Sequence, residues 1–353
     1  MLMSTKTVDI NGLKIGGGYP VRVESMLKTR LSDTDACFEE TERLREAGCE
    51  LARVAFPSME IAENFRELIK RSKLRLMADI HFNHKFALSA IDSGCPSIRI
   101  NPGNMNSETA VPEIVKAAKV NGTVIRIGAN GGSLNTKQLA AAGGDRALAL
   151  VSAVEEQIRL LLDNNFDNII ISAKSSNVQE NIRANSILAR RWNFPQHIGI
   201  TEAGGGVSGV VKGSVGIGAM LLQGIGDTIR VSLTNDPVDE VKTGYYILNA
   251  VGIRKHGYNL VSCPTCGRRR IDVMSLSERV QKLLPDDLPD GTNVAVMGCE
   301  VNGPREAANA DIGIAGTPSG FVMFIHGKTF CNATTEEFEN KLAELVSAFK
   351  EAK

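Results

Sequence analysis

Eight short runs rich in valine and isoleucine recur through the first two thirds of the sequence, and their alternation with helical stretches restricts the possible fold more than any other feature. The runs fall at 21–26 (VRVESM), 51–56 (LARVAF), 74–81 (LRLMADIH), 97–102 (SIRINP), 123–129 (TVIRIGA), 168–174 (NIIISAK), 197–203 (HIGITEA) and 227–233 (DTIRVSL), and each reads as a buried strand. Between them the apolar spacing predicts helices such as Asp35 to Ala47, Glu60 to Lys70, Glu108 to Lys119, Arg146 to Asn164 and Val178 to Trp192, entered through Ser, Asp or Asn and left through Gly or Asn. Eight strands alternating with helices predict a (β/α)8 TIM-type barrel. A doubly wound open sheet is the competing architecture, because alternation alone does not say whether the sheet closes; strand number and length favour the barrel. The fifth interval is long and contains NGGSL and AAGGD, which predicts an inserted loop or an extra helix. Near Arg254 the texture changes to RKHGYNLVSCPTCGRRR, and only short strand and helix candidates follow. The expected organisation is therefore α/β, with a barrel over 1–250 that binds substrate and a smaller α/β unit over 251–353.

At 353 residues the chain exceeds what one ordinary core supports, which suits a large barrel plus a second unit. Lysine and arginine total 40 and aspartate and glutamate total 40, so the formal net charge is zero and any anion site must be local. A general nucleic-acid or acidic-membrane binder is not expected. The apolar stretches are broken by glycine or charge well before the roughly 18 to 20 residues needed to span a bilayer. The N-terminal MLMSTKTVDINGLKIGG has neither a secretory nor a transit-peptide pattern, so a cytoplasmic location is expected. Seven cysteines, three scattered early and four late, do not form a disulfide framework.

In a barrel the reacting groups come from the C-terminal ends of the strands. There the sequence supplies Arg53, Arg99, Arg126, Lys174 and Arg230 as a ring of cations, with Asp79 and His81 at the third strand and Glu202 at the seventh. An arginine inside a valine- and isoleucine-rich strand is costly to bury unless it is paired. Five cations against the carboxylates of Asp79 and Glu202 leave positive charge for an anionic ligand. Guanidinium groups match phosphate oxygens in two-pronged fashion, so a phosphate or diphosphate ester is the favoured ligand. Any single arginine can instead point outward to a helix carboxylate; all of them together do not. Glu202, followed by glycines in ITEAGGG, is a candidate acid or base, and Asn101, Asn130 and Ser232 are candidate hydrogen-bonding groups at strand ends. The run GGGVSGVVKGSVGIGAM is rich in glycine but has neither a dinucleotide nor a Walker pattern.

Cys263 and Cys266 in SCPTCGRRR, with Cys299 in MGCEVNGPRE, have the character of a metal site: two thiolates from a tight turn and one from a distant loop. Spacing does not choose between structural zinc and an iron–sulfur cluster. The general four-cysteine rule nominates Cys331 as the fourth ligand, and Glu306 is the alternative. Cys37, Cys49 and Cys95 read as core thiols.

ADIHF at 78–82, RINPGN at 99–104, IRIGAN at 125–130, GITEAGG at 199–205, GIGDTIRVSL at 224–233, CPTCGR at 263–268 and GCEVNGPRE at 298–306 resemble, in order and spacing, the bacterial 4-hydroxy-3-methylbut-2-enyl diphosphate synthases of the non-mevalonate isoprenoid pathway. The resemblance runs from about residue 7 to about residue 345. It implies a barrel joined to a small domain that carries a [4Fe-4S] cluster held by Cys263, Cys266, Cys299 and Glu306, in preference to Cys331. It implies reductive ring opening and dehydroxylation of 2-C-methyl-D-erythritol 2,4-cyclodiphosphate, with electrons from reduced flavodoxin or ferredoxin, in a homodimer. Arg53, Arg99, Arg126, Lys174 and Arg230 then resemble the diphosphate cradle, with Asp79, His81, Asn130 and Ser232 beside it and Glu202 as the acid. One residue departs from the pattern: Arg305 stands where a glycine is expected before the ligand glutamate. The rival expectations are a barrel lyase or transferase with structural zinc, and a non-enzymatic iron–sulfur sensor.

Overall fold

The structure, a computed structural model, describes residues 4–81, 83–101, 107–285, 287–299 and 307–352. The chain divides after Arg254 into two compact units.

In the first unit all eight expected strands form: β3 (Arg22–Met26), β4 (Leu51–Ala55), β5 (Arg75–Asp79), β6 (Ser97–Ile100), β7 (Val124–Asn130), β8 (Ile169–Lys174), β9 (His197–Ile198) and β10 (Thr228–Ile229). They pair in parallel in the order β8-β7-β6-β5-β4-β3-β10-β9. A parallel bridge from Ile171 to Gln196, just before β9, joins the two ends of the sheet and makes a nearly closed barrel. An open sheet is thereby excluded. The last two strands are much shorter than expected from 197–203 and 227–233. Their ladder stops at Gly199, whose absent Cβ would lie 2.5 Å from the carbonyl oxygen of Arg230.

The helices around the barrel are α1 (Thr34–Glu46), α2 (Ala62–Arg71), α3 (His84–Asp92), α4 (Ser107–Asn121), α5 (Thr136–Ala141), α6 (Arg146–Asp163), α7 (Val178–Arg191), α8 (Gly206–Leu222) and α9 (Pro237–Ala250). The short α5 is the extra helix expected in the fifth interval. Side chains of Asp33, Asn83, Asp145, Asn177 and Asp236 accept hydrogen bonds from the first free amides of α1, α3, α6, α7 and α9, each such cap contributing about 1 kcal/mol. The glycine-rich run is α8, not a phosphate loop. A Cβ at Gly216 would meet Ile200 at 2.4 Å, so the glycines let this helix lie close on the strands.

One element was not expected. An antiparallel hairpin of β1 (Val8–Ile10) and β2 (Leu13–Ile15) places Val8, Ile10, Leu13 and Ile15 in one buried cluster with Leu51, Met77, Val124 and Ile170 from the barrel strands. Each of these strand residues stands two positions before a cavity residue of its strand (Arg53, Asp79, Arg126 and Ser172), so the hairpin closes the end of the barrel opposite the cation-bearing strand ends. Cys37, Cys49 and Cys95 are buried, and burial pushes their thiols up to about 11 for Cys37 and about 12 for the other two, which makes them inert core residues.

The second unit is a five-stranded sheet in the order β11-β12-β13-β14-β15, from β11 (Asn259–Ser262), β12 (Asn293–Met297), β13 (Ile312–Thr317), β14 (Gly320–Ile325) and β15 (Lys328–Ala333). The first three strands are parallel and the last two antiparallel. Alternation along the strands sends Val294, Val296, Ile312 and Ile314 into a core with α10 (Val273–Leu283) and α11 (Phe338–Glu351), while Ala295, Met297 and Ala315 pack on the opposite face with Ala307 and Ala310. Among the described residues no helix is long and apolar enough to cross a membrane.

Candidate active site

Period-two alternation points every second residue of a barrel strand inward. At the C-terminal ends these residues converge on a cavity of about 140 Å3 lined by Arg53, Asp79, His81, Arg99, Arg126, Gly128, Asn130, Ser172, Lys174, His197, Thr201, Arg230 and Ser232. The structure thus brings Arg53, Asp79, His81, Arg99, Arg126, Asn130, Lys174, Arg230 and Ser232 to one place. Register explains the density of charge: Asp79 pairs with Arg99, Arg99 with Arg126, and Asn130 with Lys174 on adjacent strands.

Three carboxylates hold this ring together, and two of them escaped the sequence reading. Asp79 lies 3.2 Å from Arg99 Nη1, 3.5 Å from Arg53 Nε and 3.5 Å from His81 Nε2. Burial works against its ionisation, but the contacts to His81, Arg53 and Arg99 win, and its carboxyl titrates below the usual range. Glu24, on the inward face of β3, receives Arg126 Nη1 at 2.5 Å, and both residues are about 1% exposed. Burial again opposes ionisation, and Arg126 and His197 hold Glu24 well below the ordinary glutamate value. Glu240, in the first turn of α9, accepts Arg230 Nε at 3.2 Å and Nη2 at 3.1 Å. The signal for Glu24 was present in VRVESM, where alternation puts Arg22, Glu24 and Met26 on one face; Glu240 gave no such signal, because it reaches Arg230 from a helix. Met26 adds its thioether to Arg53 Nε and Nη2 at 3.2 and 3.0 Å.

Four guanidinium groups and the Lys174 amine face three carboxylates, so the mouth of the barrel carries excess positive charge in a buried setting even with Lys174 neutral. Burial, then repulsion from Arg230, Arg126 and Arg99, outweighs Asp79 and brings Arg53 down to about 9. An anion entering the cavity supplies the missing charge and restores the cations to their ordinary state.

Glu202 is placed differently. It is exposed, has a left-handed backbone with φ of 53°, and is not among the residues that line the cavity, although Thr201 beside it is. Gly204 at φ of 97° and Gly206 at 56° continue this turn into α8. Asn101 turns away from the cavity: its side-chain oxygen accepts from Gln157 Nε2 at 3.1 Å.

In the second unit, Cys263 directly follows β11 and its amide donates to Val296 of the neighbouring β12 at 3.0 Å. Cys299 follows β12, and the Arg270 amide donates to the Gly298 carbonyl at 2.8 Å, which ties the two cysteine loops to each other. Thr265, between Cys263 and Cys266, has φ of 67°, a left-handed residue that turns the chain back. Cys331 lies on β15, at the opposite edge of the sheet from β11, about 14 Å from β12 at the usual strand spacing. Glu306 and Arg305 lie outside the described residues. Among the described residues no three His, Cys, Asp or Glu side chains come close enough together to hold a metal ion.

Residues 5–245 match the GcpE TIM-barrel domain and residues 259–348 match the GcpE protein C-terminal domain. The chain belongs to the GcpE family. Within the family it is 44% identical over 348 residues to the 4-hydroxy-3-methylbut-2-en-1-yl diphosphate synthase (flavodoxin) of Caldanaerobacter subterraneus subsp. tengcongensis, covering 98% of each chain. The enzyme of the same name from Symbiobacterium thermophilum is 43% identical over 97% of this chain and 92% of its own. That from Maridesulfovibrio salexigens is 45% identical over 94% and 93%. Among solved structures, the dihydropteroate synthase of Yersinia pestis superposes with a TM-score of 0.50 at 13% identity, over 70% of this chain and 98% of that one, a likeness of fold alone. Membership of the family agrees with the resemblance carried by the sequence motifs and with the barrel-plus-sheet architecture.

Proposed function

We propose that the chain catalyses the reductive ring opening and dehydroxylation of 2-C-methyl-D-erythritol 2,4-cyclodiphosphate to 4-hydroxy-3-methylbut-2-enyl diphosphate, taking two electrons from reduced flavodoxin. The observation that carries this reading is the excess of buried cations at the C-terminal end of a barrel whose curated relatives are named as synthases of that product. Arg53, Arg99, Arg126, Lys174 and Arg230 bind the diphosphate, with guanidinium groups on its oxygens. Asp79 orients Arg53, Arg99 and His81; Asn130 and Ser232 supply hydrogen bonds. Glu202, on the glycine-bounded turn next to Thr201, donates the proton with which the departing oxygen leaves.

A [4Fe-4S] cluster suits the thiol donors of the second unit, and when bound it supplies single electrons and a Lewis-acidic iron. Cys263, Cys266 and Cys299 hold it in this reading, supported by the hydrogen bonds that draw their loops together, with Glu306 as the fourth ligand. The protein works as a homodimer in the cytoplasm. Iron and acid-labile sulfide analysis of anaerobically purified protein tests the assignment. About four of each per chain, lost on replacing Cys263, Cys266 or Cys299 but not Cys331, is the expected result; colourless protein holding a single zinc would overturn it.

A further inference from the structure

Lys174 differs from the other cations of the cavity. Among the described residues no carboxylate lies within ion-pair distance of its ammonium group; its neighbour is instead His197, with Nε2 at 2.8 Å from Lys174 Nζ. On the far side of the ring, His197 Nδ1 lies 2.7 Å from Thr228 Oγ1 and 3.3 Å from Glu24 Oε2. A carboxylate beside Nδ1 requires the proton there, which leaves the Nε2 lone pair to accept from Lys174. His197 is 1% exposed and burial, followed by Arg126, keeps its imidazole neutral. Gly199 makes room for the arrangement, since a Cβ there would stand 3.2 Å from Lys174 Nζ.

We propose that His197 is a positioning residue for Lys174, aiming its amine into the cavity, and that Lys174 is the group that takes up a proton when an anion enters. The inference rests on the diphosphate-site reading above and adds a proton-coupled step to it. The groups facing Lys174 are Arg53 from β4, Arg126 from β7, Arg230 beyond β10, Glu24 from β3 and His197 from β9. Burial first, then repulsion from Arg53, Arg126 and Arg230, holds Lys174 well below the usual lysine range against the weaker pull of Glu24. The empty cavity therefore favours the neutral amine, which donates one N–H to His197 Nε2 and turns its own lone pair toward the cavity. When a dianion binds, that lone pair accepts one proton from solvent, and the resulting ammonium faces the anion. No other bond changes. Anion affinity and proton uptake are linked by this step, so binding weakens as the pH rises.

The test is calorimetric titration of the full-length protein with sulfate, which does not itself titrate in the neutral and alkaline range, in two buffers of different ionisation enthalpy at about pH 8. Wild type is expected to take up close to one proton per sulfate bound, and Lys174→Met to take up essentially none while still binding sulfate more weakly. His197→Phe, which has no acceptor for Lys174, should lose about tenfold in sulfate affinity and most of the proton uptake. His197→Gln, whose side-chain oxygen can replace the Nε2 acceptor, should recover both, which a merely space-filling role would not require. Proton uptake in Lys174→Met equal to wild type overturns the role of Lys174, and a His197→Phe protein with wild-type affinity and uptake overturns that of His197. Failure of wild type to bind either sulfate or pyrophosphate would instead remove the diphosphate site on which the inference rests.

Discussion

Glu240 grips Arg230 with both carboxylate oxygens, Oε2 to Nε at 3.2 Å and Oε1 to Nη2 at 3.1 Å, while also accepting from Ser25 Oγ and the Leu233 amide at 3.0 Å each. A helix residue thus fixes the direction of a barrel cation and the backbone of the loop that follows it. Arg230→Ala should weaken binding of the cyclic diphosphate far more than it slows turnover at saturation. Glu240→Gln, which spoils the fork without removing the cation, should raise KM by roughly tenfold. Unchanged substrate affinity in Arg230→Ala would take Arg230 out of the cradle.

The buried Glu24–Arg126 pair makes the barrel sensitive to acid. Glu24 has a lower value folded than its ordinary 4.5, so its contribution to stability is full above that pH and is lost as the pH falls from there toward the folded value. Asp79 acts in the same direction. Glu24→Gln, which leaves Arg126 buried without its counter-charge, should cost about 3 to 5 kcal/mol at neutral pH. Urea denaturation at a series of pH values checks this: the gap between wild type and variant should narrow below about pH 4.5, and a gap independent of pH would contradict it.

Glu202 is the residue whose role depends most on chemistry and least on binding. Glu202→Gln keeps the size of the side chain and removes the acid, so substrate binding should persist while turnover drops by a factor of about 10^2 to 10^4. Substantial turnover with the natural reductant would exclude Glu202 as the proton donor.

The N-terminal hairpin should act on stability alone. Ile15 is fully buried in the cluster that closes the barrel floor, so Ile15→Ala should destabilise the protein by about 2 to 5 kcal/mol without altering affinity for pyrophosphate. A loss of pyrophosphate affinity in the folded variant would show that the floor and the mouth are coupled.

Much of the barrel was legible because a strand covered on both faces must be almost continuously apolar, and an arginine within such a run stands out. Of the eleven residues expected at strand ends, nine line the cavity, whereas Glu202 and Asn101 do not. Alternation in VRVESM places Glu24 on one face with Arg22 and Met26 but does not name Arg126 as its partner, and Glu240 is hidden because contacts from a helix to a strand leave no periodic trace. His197 opens a strand and looks in sequence like any histidine; its meaning lies in the 2.8 Å to Lys174. The hairpin leaves little trace in the sequence, since VDINGLKI is short and its partners are the barrel strands themselves. β9 and β10 are shorter than their apolar runs because apolar character continues past the point where Gly199 and Arg230 leave the ladder.

The most direct measurement is anaerobic turnover of the cyclic diphosphate by the full-length holoprotein with reduced flavodoxin, followed by phosphorus NMR. The account predicts conversion to the linear 4-hydroxy-3-methylbut-2-enyl diphosphate, dependent on the reductant and abolished by Cys263→Ala. A cyclic diphosphate that binds but returns unchanged, in the presence of reduced flavodoxin and a loaded cluster, would contradict it.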